Sequence, residues 1–156
     1  FKKAVLGGKH SISINNSSFD IKIPEGVKSG QTIRIKGKGK THNGQYGDLL
    51  LKITILDSKD YEIDEFDLIK SFDISLHTAL FGGIVEIETI HKIIKLKVPQ
   101  NTKQNQKFRV KELGILDRKT QQKGNLYLKS NIIIPDINSL DKETVNFLDE
   151  NLPKTV

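Results

Sequence analysis

The 156-residue sequence has no cysteine, no methionine and no tryptophan, and only four prolines. Without cysteine there is no disulfide framework, no zinc ribbon and no cysteine nucleophile, a composition that fits a cytosolic protein. No apolar run approaches the ~20 residues that a membrane-crossing helix needs. Hydrophobic residues make up 36% and charged residues 28%, too polar for a membrane protein and too apolar for a disordered tail. The sequence starts at Phe1 rather than at methionine, so a fragment or a processed chain is expected. Residues 1–6 do not read as a signal peptide, because they are short and lead straight into structured sequence.

What is present is positive charge, unevenly spread. Residues 1–66 hold 11 Lys/Arg against 8 Asp/Glu, and residues 67–138 hold 12 against 7. Residues 139–156 reverse the sign, with 2 against 4. A basic body with a mildly acidic tail raises two readings, a nucleic-acid or acidic-peptide partner and a lysine-rich soluble surface.

The dominant pattern is alternation with period two, which predicts strands. Residues 11–14 and 19–23 alternate cleanly around Asn15-Asn16, a hairpin signature. Further strands are expected at 32–36, 48–55, 67–74, 84–89, 92–98, 107–111 and 125–134. Helix is scarce. Residues 1–6 read as a helix end stopped by Gly7-Gly8, and residues 76–80 as one short turn before Gly82-Gly83. The tail is the exception: Asp141 is placed to cap a helix running to about Asn151, with Glu143 in its first turn. Leu140, Val145, Leu148 and Leu152 give that helix an apolar stripe.

The chain repeats itself. IKIPEGVKSGQTIRIKGKG at 21–39 aligns with LKVPQNTKQNQKFRVKELG at 96–114, seven of 19 positions being identical at an offset of 75. GDLLL at 47–51 matches GNLYL at 124–128 at an offset of 77. Two tandem β-units are the economical reading, with a boundary in the acidic stretch 61–66. The expected fold is therefore mainly β: two small β-sandwich domains, 1–66 and 67–138, and a short C-terminal helix within 139–156. In the first copy Gly26 and Gly30 permit tight turns, and in the second Asn101 and Asn105 stand in their place. Asparagine tolerates positive φ better than most residues, so the turn survives the exchange.

Few residues point to chemistry. The four histidines match no metal spacing, and no metal or cofactor is expected. Glu86 and Glu88 share a strand face, which is more often wet surface than an acid–base pair. No Gly-x-Ser-x-Gly elbow is present, and Arg34 stands where a Walker A loop ending at Gly39-Lys40-Thr41 needs glycine. No catalytic residues are assigned and an enzyme is not expected. Arg34, Lys36, Lys38 and Lys40 form the densest basic run. It reads as a phosphate contact, as a contact for acidic peptide or as a solvated strand and turn.

Taken together, IPEGVKSGQTIRIKGKG, GDLLL, FKKAVLGGKHSISI, DLIKSFDISLHTALFGG and VEIETIHKIIKLKVP resemble the C-terminal substrate-binding region of DnaJ-type J-domain co-chaperones. The resemblance covers essentially the whole sequence. No proline stands in a His-Pro-Asp motif and the cysteine-rich zinc module is absent, so the chain is similar to the zinc-free branch that includes the curved-DNA-binding proteins. In the family a further strand precedes the segment that starts here at Phe1. The resemblance implies a chaperone role, with an unfolded client polypeptide bound as an added strand against Ile12, Ile14 and Leu51. The bland alternative is that Ile12 and Ile14 simply face the sandwich core. It also implies a homodimer through Leu140, Val145, Leu148 and Leu152, delivery of clients to the seventy-kilodalton heat-shock chaperone through a J domain, and a cytoplasmic location. The alternative it implies is a nucleoid-associated curved-DNA binder.

Overall fold

The computed structural model describes residues 1–14, 17–42 and 44–155, with Thr41 and His42 described by their backbone alone. The chain begins with α1 (Lys2–Leu6), β1 (Gly8–Ile14), β2 (Ser17–Ile23), β3 (Thr32–Ile35), β4 (Thr41–His42), β5 (Gln45–Tyr46) and β6 (Leu49–Lys52). It continues with β7 (Glu62–Asp64), β8 (Asp67–Ser75), α2 (Leu76–Phe81), β9 (Gly83–Glu88), β10 (Ile93–Val98) and β11 (Lys107–Val110). Last come β12 (Leu116–Asp117), β13 (Gln122–Lys123), β14 (Leu126–Ile133), a 3-10 turn (Ile137–Ser139) and α3 (Lys142–Asn151). The molecule is mainly β, built of small antiparallel sheets with a short C-terminal helix, in line with the expected class. All nine strands expected from alternation are present. The turn assigned to Asn15-Asn16 lies outside the described residues. The two- and three-residue strands β4, β5, β7, β12 and β13 are too short to show a period.

The repeat is realised bond for bond. Gly26 and Gly30 have φ of 70° and 84°, and Asn101 and Asn105 take their places at 59° and 61°. In the first copy the Gly30 amide donates to the Ile53 carbonyl at 2.7 Å, and the Gln31 side chain accepts from the Lys28 amide at 3.2 Å. In the second, Asn105 donates to the Ser130 carbonyl at 2.8 Å, and Gln106 accepts from the Lys103 amide at 3.0 Å. The likeness extends upstream of the matched sequences to α1 and α2. Each ends on a glycine whose amide donates back into the helix at 2.9 Å, Gly7 to Lys3 and Gly82 to Thr78. At both glycines φ is positive and a Cβ would run into the backbone of a later turn, at Glu25 and at Gln100 respectively.

By its contacts the chain forms two compact units, one of Phe1–Ser71, Thr89–Lys92 and Lys107–Lys129, the other of Phe72–Glu88, Ile93–Gln106 and Ser130–Val156. The grouping divides β8 after Ser71 and β14 after Lys129, and so differs from a division at residues 66 and 138. In the first unit Ile21, Ile23 and Val27 form a buried cluster, and Ala4, Ile12, Phe19, Ile35, Leu51 and Ile53 pack against it partly exposed. In the second unit Phe72, Ile74, Ala79, Ile87 and Val98 are buried, and buried Ser130 is satisfied by donating to the Lys103 carbonyl at 2.7 Å. The acidic stretch 61–66, where the repeat places a boundary, holds β7 and the turn into β8. β7 pairs with β8 from Glu62↔Ile69 to Asp64↔Asp67, and Glu65 turns the chain at φ 54°. Ile63 alternating with two acids is a strand pattern too short to stand out.

Candidate functional site

Alternating serine and isoleucine in β1 sort themselves by chemistry. Ser11 donates to Asp20 at 2.5 Å and the hydroxyls of Ser13 and Ser18 meet at 2.7 Å, so the polar face is zipped to β2. Ile12 and Ile14 therefore lie on the opposite face, both partly exposed. The apolar cluster takes in Ile12 and Leu51 but not Ile14, which sits at the strand end. β1 pairs only with β2, from Gly8↔Ile23 to Ile14↔Ser17, so among the described residues its outer edge carries no strand. An open edge beside half-buried isoleucine and leucine offers unpaired backbone groups and shallow apolar contact to an extended chain.

The second copy provides an internal control. Ile87, Thr89 and Leu128, the repeat counterparts of Ile12, Ile14 and Leu51, are only 4%, 8% and 0% exposed. One reason is strand neighbours: β14 lies between β11 and β8, whereas β6 pairs with β3 alone. These three positions are thus buried in the second copy and part-open in the first, although β9, like β1, pairs with a single strand.

The basic run is not uniform. The Arg34 guanidinium is held by Asp48, with Nε donating to Oδ2 at 2.5 Å, and the same carboxylate accepts from the Gly37 amide at 3.0 Å. The Gly37 amide first, and then Arg34, hold the Asp48 carboxyl below the usual aspartate range. Lys38 places its ammonium 5.7 Å from the Phe19 ring centroid. Lys36 and Lys40 are exposed. β3 ends at Ile35, so Lys36 stands in the following turn and does not continue the strand face of Arg34.

The tail helix forms as expected. Asp141 caps it by accepting from the Thr144 amide at 2.8 Å and from its hydroxyl at 2.7 Å. Leu140, Val145 and Leu148 are partly buried, and Leu152 is 58% exposed. Leu140 and Leu152 flank the helix rather than belonging to it. The helix stops at Asn151, and Leu152 is extended at ψ 137°, as the following Pro153 requires. Phe147, which the stripe omitted, is 64% exposed.

Of the weaker signals, Glu86 is an ion-pair partner of Lys95 at 3.3 Å on an exposed strand face. Among the described residues no three His, Asp or Glu side chains are grouped to hold a metal ion, and no helix is long and apolar enough to cross a membrane. A cavity of about 530 Å³ in the first unit went unread in the sequence. Its lining includes Val27, Ile55, Leu56, Ile63 and the stacked rings of Phe1 and Tyr61, 5.6 Å apart. These residues come from separate segments, and no local pattern joins them.

Over 118 residues the chain is 33% identical to a protein of Erysipelothrix rhusiopathiae named chaperone protein DnaJ, covering 74% of this chain and 32% of that protein. A protein of the same name from Streptococcus pyogenes is 34% identical over 128 residues, 80% of this chain and 34% of the relative. Another, from Halorubrum lacusprofundi, is 30% identical over 138 residues, 87% of this chain and 35% of the relative. The chain thus spans about a third of the length of the curated relatives it matches. Residues 1–135 match the family described as the DnaJ C terminal domain, and the chain belongs to that family.

Proposed function

We propose that this chain is the client-holding part of a DnaJ-type co-chaperone. An unfolded polypeptide adds as a strand to the outer edge of β1, with alternate side chains against Ile12, Ile14 and Leu51. The observation that supports this most is the open edge of β1 beside Ile12, Ile14 and Leu51, which are part-exposed while their counterparts in the second copy are buried. Main-chain bonds give such a site affinity without sequence preference, which suits a holder of varied clients. Delivery to the seventy-kilodalton heat-shock chaperone requires a J domain, whose His-Pro-Asp motif is absent from this sequence. The tandem division at 66 and 138 is the domain reading that the repeat supports. α3 with Leu140, Val145, Leu148 and Leu152 serves as the dimerisation element, so that two grooves hold one client. The curved-DNA-binding reading is set aside, because Arg34 is engaged by Asp48 and the relatives described above are named as chaperones.

Ile14→Ser tests the groove, since Ile14 lies outside the buried cluster. It should weaken capture of a permanently unfolded polypeptide by roughly threefold to tenfold, as expected for one apolar contact, and leave cooperative unfolding intact. Unchanged capture in a folded variant would refute the groove.

A further inference from the structure

Within the first compact unit β7 presents another open strand edge, and the charge around it is of the opposite sign. β7 is the last strand of the sheet β11-β14-β8-β7, so among the described residues only β8 pairs with it. Glu62 and Ile63 of β7, and Glu65 in the turn that follows, line the cavity of about 530 Å³ described above. All of that lining belongs to the first unit. Apolar surface is open to solvent there: Ile63 is 48% exposed and Leu56 is 74% exposed.

The wall of the cavity is held in place. The Tyr61 hydroxyl accepts from the Ile90 amide at 2.7 Å, its ring stacks on Phe1, and the Lys70 ammonium stands 4.9 Å from the ring centroid. Among the described residues Lys28 is the one cation in the lining, and its ammonium rests 4.4 Å from the Phe66 ring centroid. Against it stand three exposed carboxylates, Asp57, Glu62 and Glu65. Among the described residues none of the three has an ion-pair partner. A chain of net charge +6 thus keeps an unpaired acidic rim around an apolar hollow.

We propose that the outer edge of β7 and this cavity bind an extended stretch of polypeptide in which lysine or arginine stands beside an apolar residue. The open edge supplies main-chain donors and acceptors to an added strand. The hollow takes the apolar side chain and the carboxylates meet the cations. Lysine and arginine suit such a rim, since their alkyl stems lie along apolar surface while their charged heads stay in water. The same three carboxylates repel acidic stretches, so the rim selects by sign. A free organic amine meets the carboxylates and the hollow but has no backbone to pair with β7. The inference names a class of segment within the polypeptide ligand proposed above and rests on that reading, but its test does not use the β1 edge.

The test is fluorescence anisotropy of a labelled peptide of alternating lysine and serine with two central leucines, titrated with the whole chain at low and at physiological ionic strength. Glu62→Gln with Glu65→Gln should weaken binding roughly threefold to tenfold at low salt, the sum of two exposed charge contacts, and by less at physiological salt. Glu86→Gln with Glu88→Gln, which removes two exposed carboxylates elsewhere, should change it by less than about twofold. Ile63→Ser should weaken it roughly threefold to tenfold at both salt concentrations, because an apolar contact is not screened. Cooperative thermal unfolding should survive that exchange, since Ile63 is half exposed. Amide exchange with saturating peptide should show protection of the β7 amides not bonded to β8. Capture of an unfolded apolar peptide should be unchanged by the Glu62 and Glu65 exchanges, which separates failure of this site from failure of the groove. Equal loss in both double variants, no loss in either, protection that leaves β7 unchanged, or binding of phenethylamine in the cavity without binding of the peptide would overturn the proposal.

Discussion

Gly26 and Gly30 occupy equivalent positive-φ corners in one turn, and asparagine replaces both in the second copy. Putting the second copy's residue back into the first separates backbone conformation from space. At Gly30 a Cβ meets nothing within 4 Å. The strain of asparagine at positive φ is there offset by the ~0.4–1 kcal/mol gained from a less flexible unfolded chain, so Gly30→Asn should be close to neutral. At Gly26 the same Cβ would sit 2.1 Å from the Leu116 carbonyl oxygen. The backbone cannot retreat freely, because the Gly26 amide donates to the Ala4 carbonyl at 3.0 Å. Overpacking of this kind costs about 1–3 kcal/mol. In a compact unit of this size, Phe1–Ser71 with Thr89–Lys92 and Lys107–Lys129, each kcal/mol shifts the melting midpoint by about 4–8 °C. Gly26→Asn should therefore melt roughly 4–24 °C below Gly30→Asn in paired thermal unfolding followed by circular dichroism. Equal midpoints would refute the reasoning, since both variants carry the same conformational cost and differ only in the contact with Leu116.

Three further outcomes follow from particular residues. Asp48, Asp117 and Asp141 are each held ionised by hydrogen bonds in the folded chain, led by the amides of Gly37, Lys119 and Thr144. A lowered folded pKa adds stability that is full above the unfolded value near ~4 and is lost as pH falls through the folded value. Denaturant midpoints should thus drop below about pH 4 and vary little just above it. Asp141→Ala should lose α3 helicity without loss of the sheets, seen as residue-specific amide chemical shifts; loss of the whole fold would contradict the helix's marginal packing. Leu148→Asp should convert a dimer to a folded monomer in sedimentation and weaken client capture through lost bivalency. A wild-type chain already monomeric at micromolar concentration would remove that role from α3.

Much of the fold was legible because period-two alternation is a strong signal in longer strands such as β2, β8 and β14. The turn asparagines 101 and 105 were readable because their conformational tolerance is a local property. Expectations failed where tertiary context decides. The acidic run at 61–66 has the composition of a linker, and the pairing of Ile63 with Leu68 could not be read from it. Lys36 continues the alternation of Ile33 and Ile35 but stands beyond the strand's last paired residue. At the candidate site, alternation told which face Ile12 and Ile14 share, but not that Ile12 joins a cluster that Ile14 does not. That distinction depends on Leu51 and Ile53, far along the chain.

The central claim is that an unfolded chain adds as a strand to the outer edge of β1. Amide hydrogen exchange of the chain with and without a saturating unfolded apolar peptide reads that edge directly. The account predicts that alternate amides of Gly8–Ile14, those not bonded to β2, gain protection when the peptide binds, while the amides of Gly83–Glu88, whose Ile87 is buried, do not. Protection that appears elsewhere and leaves the outer amides of β1 unchanged would contradict it.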